Sequence, residues 1–176
     1  SNVCRSPIAE GLAKKWLSER YGIGIEDLEQ AGYKVQSRGS SADFEPVGSP
    51  ASSYGVTVMR EEYGVDVTAH RSEMLSQADI TNATHIYCMT QRHHDAVLSL
   101  GRKCSGFRSR PRYPALPRAP SSPAAGGGIG CGEDGEKPPS KGTPIMVSVF
   151  DPEIPDPWHG TIEYYRTCTS MIHEAV

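Results

Sequence analysis

Long apolar runs are missing from this 176-residue chain. Nothing in it approaches the ~20 consecutive apolar residues that a membrane-crossing helix needs. Apolar residues make up only 37% of the chain, a thin supply for burying the whole of its length. The five cysteines form no Cys-x-x-Cys pair; their odd number fits free thiols in a reducing compartment, such as the cytoplasm, better than a disulfide scaffold. Excess positive charge is missing too: at a net charge of −3 the chain lacks the electrostatic footprint of a general nucleic-acid binder. Glycine and proline, at 18 and 14 residues, are by contrast plentiful. They crowd residues 101–143, a stretch too poor in apolar side chains to offset its ordering entropy. It reads as a disordered surface insertion in a single domain spanning 1–176. Arg102, Lys103, Arg108, Arg110, Arg112 and Arg118 in its first half read as a solvated basic face rather than a docking site.

The informative stretch is the first seventeen residues, a short polar turn running into an amphipathic segment. Ser6 is expected as N-cap, Pro7 as the first helical residue, and Glu10 near the positive end of the dipole. Ile8, Leu12 and Trp16 recur every four residues, so one apolar face should lie on a sheet. Ser1 to Arg5 would then precede a helix N-terminus, whose amides attract an anion. Arg5 adds a planar fork able to hold two phosphate oxygens.

Further along, Tyr33–Ser37 reads as a short strand, and Ser49-Pro50-Ala51 opens a helix carrying Val56, Met59 and Tyr63. A helical turn is expected over His70–Leu75, a buried strand over His85–Met89 and a helix from Gln91 to Leu100. Another strand is expected over Ile145–Phe150, followed by a helix from Gly160 with Ile162, Tyr165, Ile172 and Ala175 on one stripe. This alternation argues for a parallel sheet wrapped by helices, with ligands at the carboxyl ends of strands.

The order Asn2-Val3-Cys4-Arg5-Ser6-Pro7-Ile8-Ala9-Glu10, followed far downstream by Asp156-Pro157-Trp158, resembles the phosphate loop and acid loop of the low-molecular-weight protein tyrosine phosphatase family. Gly48–Ser52, His70-Arg71-Ser72 and Tyr87-Cys88-Met89-Thr90 follow the same family order. The resemblance covers most of 1–100 and 145–176. It implies an α/β three-layer sandwich with a small parallel sheet flanked by helices, and a cysteine-dependent phosphatase acting through a phosphocysteine intermediate without metal or cofactor. Its partners would be a phosphorylated protein or aryl phosphate and inorganic phosphate or a similar oxyanion, with no nucleic acid and no membrane.

Carried onto this chain, the resemblance makes Ser1, Asn2, Val3, Cys4, Arg5 and Ser6 the phosphate-binding loop. Arg5 becomes the clamp, Asp156 the proton donor to the leaving oxygen, and Trp158 an aromatic wall for the substrate. Asn2 and Ser6 should brace the loop. Asp151-Pro152 repeats the Asp-Pro dipeptide without an aromatic after it, so Asp156 is preferred. Adjacent His93 and His94 point about 100° apart on a helix and read as a surface pair rather than a metal site.

The family's nucleophilic cysteine stands six positions before the loop arginine, a position two residues before Ser1. Cys4 is the family's second cysteine, which protects the nucleophile by a reversible disulfide. The chain therefore reads as an N-terminally truncated, inactive phosphatase whose central first strand is missing, leaving Tyr33–Ser37 and His85–Met89 facing a gap. Organellar targeting stays open on that reading. Val3 leans toward an aryl substrate, whereas Asp156–Ile162 resembles the arginine-phosphatase side. An inactive phosphate-binding scaffold is the reading from another class. An arsenate reductase of the same fold would need a downstream cysteine pair, and Cys88 and Cys104 are poorly spaced for one.

Overall fold

The computed structural model describes residues 1–104, 107, 109–110 and 145–176. Among these described residues five α-helices, α1 (Arg5–Tyr21), α2 (Ser53–Tyr63), α3 (Gln77–Asn82), α4 (Gln91–Gly101) and α5 (Ile162–Ala175), accompany three strands, β1 (His85–Cys88), β2 (Ser109–Arg110) and β3 (Ile145–Val149). The strands form one parallel sheet in the order β1-β3-β2. His85 lies opposite Met146, and Cys88 opposite Val149.

Local chemistry explains most helix boundaries. The Ser52 hydroxyl caps α2 by accepting from the Gly55 amide at 3.3 Å, and Gly64 ends it in the left-handed conformation (φ 65°). Ser76 and Asp79 form a reciprocal capping box on α3. Thr161 caps α5. At Gly11 of α1 a Cβ would stand 2.9 Å from the Met59 side chain and 3.1 Å from Val65 and Val67. The small residue is what lets α1 approach α2 so closely.

Two cores result. Helices α1, α2 and α5 bury Ile8, Leu12, Val58, Met59, Cys168 and Ile172 together with Met89, Phe150 and Ile154. A smaller cluster of Ile80, Cys88, Val97 and Val147 joins α3 and α4 to the sheet. The result is a small parallel sheet flanked by helices.

Several sequence expectations are corrected here. Helix α1 starts at Arg5 with Cys4 at the cap position, and no side chain caps it. The loop is pinned earlier than expected, because the Val3 carbonyl accepts from the Ser52 amide at 2.8 Å, so Ser6 is already helical. The α1 apolar face packs on α2 and α5 rather than lying on the sheet, because those helices supply their own core. Glu10, instead of serving the dipole, accepts from the Ser37 amide and hydroxyl at 2.9 and 2.8 Å and pairs with Lys14.

That contact also explains why Tyr33–Ser37 is not a strand: the Ser37 amide goes to a carboxylate, and only Gly39 makes a bridge, to Met74. His70–Leu75 is not helical either. Bridges Pro50–Arg71 and Gly39–Met74, with Ser72 N donating to Ser49 O and Leu75 N to Gly39 O, hold it extended. The expected insertion begins too early at 101: Gly101 closes α4 against Phe107, and Ser109–Arg110 pairs with β3. The rest of 101–143 lies outside the described residues.

Candidate active site

The chain leaves β1 and β3 at their carboxyl ends and enters a common cleft of about 630 Å³, the place where α/β sheets present ligand sites. From β1 come Thr90 and the first turn of α4. From β3 comes the segment Glu153–Asp156. This segment is anchored beneath the cleft by the Ile154 amide donating to Met89 O at 2.9 Å, with Ile154 and Pro157 fully buried. The third wall is the N-terminal loop with Ser1 and Arg5.

Arg5 binds across the cleft floor. Its Nη1 donates to the Ile154 carbonyl at 2.8 Å, and its Nη2 meets Asp156 Oδ2 at 2.8 Å. The guanidinium is largely enclosed (12% exposed), whereas the Asp156 side chain is 54% exposed. Asp156 is aimed by its second oxygen, which accepts from the Trp158 amide at 3.3 Å. Residues 151 positions apart in sequence thus share one site. Asp151 is exposed and does not line the cleft.

The loop itself is braced at Asn2, which is 2% exposed. Its Nδ2 donates to Ser37 Oγ at 2.9 Å, its Oδ1 accepts from the Glu73 amide at 3.1 Å, and its carbonyl meets His70 Nε2 at 2.6 Å. A carbonyl only accepts, so that nitrogen carries the proton. Ser37 in turn rests on Glu10. Ser6, also expected to brace the loop, makes no side-chain hydrogen bond among the described residues. The first amides of α1 have no partners within the helix and remain donors for an anion beside Arg5.

The remaining loop residues turn inward. Val3 (3% exposed) and Cys4 (6%) belong to the helical core, so the Val3 side chain is not among those lining the cleft. Burial pushes the Cys4 thiol above its ordinary value, with Asp156 adding to the effect and the Tyr165 hydroxyl, 3.1 Å away, opposing it. Burial likewise raises Cys168, and takes Cys88 to about 12. No thiol lines the cleft among the described residues, and none of these resembles an activated nucleophile. Trp158, expected as an aromatic wall, is not among the residues lining the cleft; its ring stands 6.4 Å from that of Phe44, which does line it and is 65% exposed.

Sequence reading missed Ser37, Phe44, Arg92 and Glu153, and it misplaced His93. Rather than belonging to a surface pair, His93 is half-buried in the cleft wall with Nδ1 3.2 Å from Thr90 Oγ1. Burial first, then Arg5, pushes its imidazole below the ordinary range. No local pattern marks these residues; they meet only through the fold. Among the described residues no group of His, Cys, Asp or Glu is arranged to hold a metal, and no helix is long and apolar enough to cross a membrane.

An arginine and a carboxylate thus face one another beside a helix N-terminus in an α/β protein, and comparison with known proteins identifies its family. Residues 1–109 match the family described as low molecular weight phosphotyrosine protein phosphatase. The chain belongs to that family of phosphatases. The match begins at residue 1 and gives no support to the expectation of a lost upstream segment. A curated relative, the protein-arginine-phosphatase of Geobacillus stearothermophilus, is 28% identical over 99% of this chain and 85% of its own. Among solved structures, Vibrio vulnificus Wzb in complex with benzylphosphonate superposes with a TM-score of 0.63 at 22% identity, covering 99% of this chain and 87% of that one. The Drosophila arginine phosphatase DARP gives 0.65 at 17% identity, over 99% and 87%. At those identities the structures attest the fold.

Proposed function

We propose that this cleft binds the phosphoryl group of a phosphotyrosyl protein, and that the family's reaction at this site is phosphomonoester hydrolysis through a phosphocysteine. The observation that carries the reading is the 2.8 Å contact of Arg5 with Asp156 in a cleft beside a helix N-terminus. In the resting site Asp156 occupies the guanidinium. An incoming phosphoryl takes its place, held by the Arg5 fork and by the amides of Ser1 to Ser6, where charge develops in the transition state. The displaced Asp156 carboxylate, released from the guanidinium, takes up a proton from solvent, stands next to the leaving oxygen and delivers that proton to it. Phe44, which lines the cleft with the Trp158 ring packed against it, supplies an aromatic face suited to a tyrosyl ring.

The attacking thiolate belongs six positions before Arg5, a position these 176 residues do not include. The described cysteines are free, and a reducing compartment, the cytoplasm, is the proposed setting.

The 28% identical arginine phosphatase favours a second reading, in which phosphoarginine is the substrate. A chain extended upstream to carry a cysteine at the sixth position before Arg5 tests both, assayed with p-nitrophenyl phosphate and with phosphotyrosyl and phosphoarginyl peptides. Turnover of the aryl ester and the phosphotyrosyl peptide is expected. Turnover of phosphoarginine alone would replace the first reading with the second, and no turnover with any of the three would remove both.

A further inference from the structure

Arg92 is in an unexpected place for a structural residue. It falls in the first turn of α4, after the cap residue Thr90. A cation there faces the positive end of the helix dipole and weakens the helix rather than supporting it. It is exposed, lines the cleft, and forms no ion pair among the described residues.

The two carboxylates that share the cleft are already committed. Glu153 Oε1 accepts from the Gln91 amide, the first of α4, at 2.9 Å, and Asp156 is paired with Arg5. His93, next to Arg92 in sequence and lining the same cleft as Arg5, is biased toward its neutral form by burial first, and by both arginines. Among the described residues Arg92 is thus an uncompensated cation, in a cleft whose volume exceeds what one phosphoryl group fills.

The geometry points to Arg92 as a second anion contact, selecting partners that carry an anionic side chain, a carboxylate or a second phosphoryl, beside the phosphorylated residue. This rests on the phosphoryl-binding reading of Arg5 and extends it to the flanking sequence of the substrate. The phosphoryl head occupies Arg5 and the loop amides, the chain leaves past Phe44, and the flanking anion reaches the α4 wall. An arginine fork suits either anion, a phosphoryl more strongly.

The test measures affinity of the present chain for short peptides built around phosphonomethyl-phenylalanine, which cannot be hydrolysed. The residue flanking it is Glu, phosphoserine or Gln. In the wild type, Glu should bind about two- to fivefold more tightly than Gln, the range of an exposed ion pair, and phosphoserine more tightly still. Arg92→Gln should bring the anion-to-Gln ratios to about one, whereas Arg92→Lys should retain most of the Glu advantage. An advantage for only one of the two anions, lost in Arg92→Gln, supports the proposal and identifies the source. Equal binding of all three peptides by the wild type, or a ratio unchanged in Arg92→Gln, overturns it while leaving the Arg5 site intact. Failure of every peptide to bind the wild type overturns the Arg5 reading itself, and this inference with it.

Discussion

Asp156 competes with the ligand it is proposed to serve, and this makes a prediction of unusual sign. In the resting site its Oδ2 sits 2.8 Å from Arg5 Nη2, so a phosphoryl group must displace a carboxylate and then sit beside its negative charge. The Arg5 guanidinium is mostly enclosed, but the carboxylate is more than half exposed. The pair therefore belongs with solvent-screened ion pairs of roughly 0.2–1 kcal/mol rather than with buried ones. Asp156→Ala removes both the competitor and the repulsion. Its affinity for inorganic phosphate should rise by up to about fivefold, the equivalent of ~1 kcal/mol. Calorimetric titration of both proteins at low salt measures it, and 0.5 M NaCl should shrink the difference as screening shortens the range of the charges. In an extended chain carrying the nucleophile, the same variant should lose turnover. If phosphate binds Asp156→Ala no better than the wild type, the Arg5–Asp156 pair does not guard the oxyanion position and the displacement step is wrong.

Asn2→Ala leaves Ser37 Oγ and the Glu73 amide without their buried partner; urea unfolding should show a loss of about 1–3 kcal/mol, together with weaker phosphate binding. His93 has a folded pKa pushed below its ordinary 6.5, so the unfolded chain binds the proton more tightly. Its contribution to stability is present above about pH 6.5 and is lost as pH falls from there toward the folded value. His93→Gln should flatten that part of the stability-versus-pH curve, and an unchanged slope would show that His93 is not depressed. Among the described thiols, half-buried Cys104 should be alkylated first in the native protein, with Cys4 and Cys88 reacting only on unfolding. Mass spectrometry of labelled peptides reads the order.

Much of the fold was legible because periodicity and punctuation act locally. Ile8 and Leu12, and Tyr165 and Ile172, mark faces that the core buries, and β1, β3 and α4 fall within a residue of their expected spans. The errors share one cause, the use of a backbone group by something distant. The Ser37 amide is taken by Glu10, 27 residues away. His70–Leu75 is stretched between two isolated bridges rather than coiled by its own propensity. Short apolar alternation cannot reveal either.

The candidate site was legible in its extremes and not in its walls. Arg5 and Asp156 stand in motifs, and the fold brings them into contact. Phe44, His93 and Arg92 carry no motif; His93 and Arg92 reach the cleft because α4 follows β1, which ends beside β3, and Phe44 comes to it from a loop ahead of α2. Val3 shows the opposite failure. A motif position suggested a substrate-facing side chain, whereas packing among the helices draws it into the core.

The central claim concerns which atoms meet an oxyanion, and a phosphate titration of the isotope-labelled chain followed by amide and guanidinium NMR tests it directly. Saturable shifts should concentrate on the backbone amides of Asn2 to Ser6, excluding the proline that follows, and on the Arg5 side chain, with Asp156 responding as it is released. Saturable shifts centred anywhere else, with Arg5 and those amides unmoved, would contradict the account.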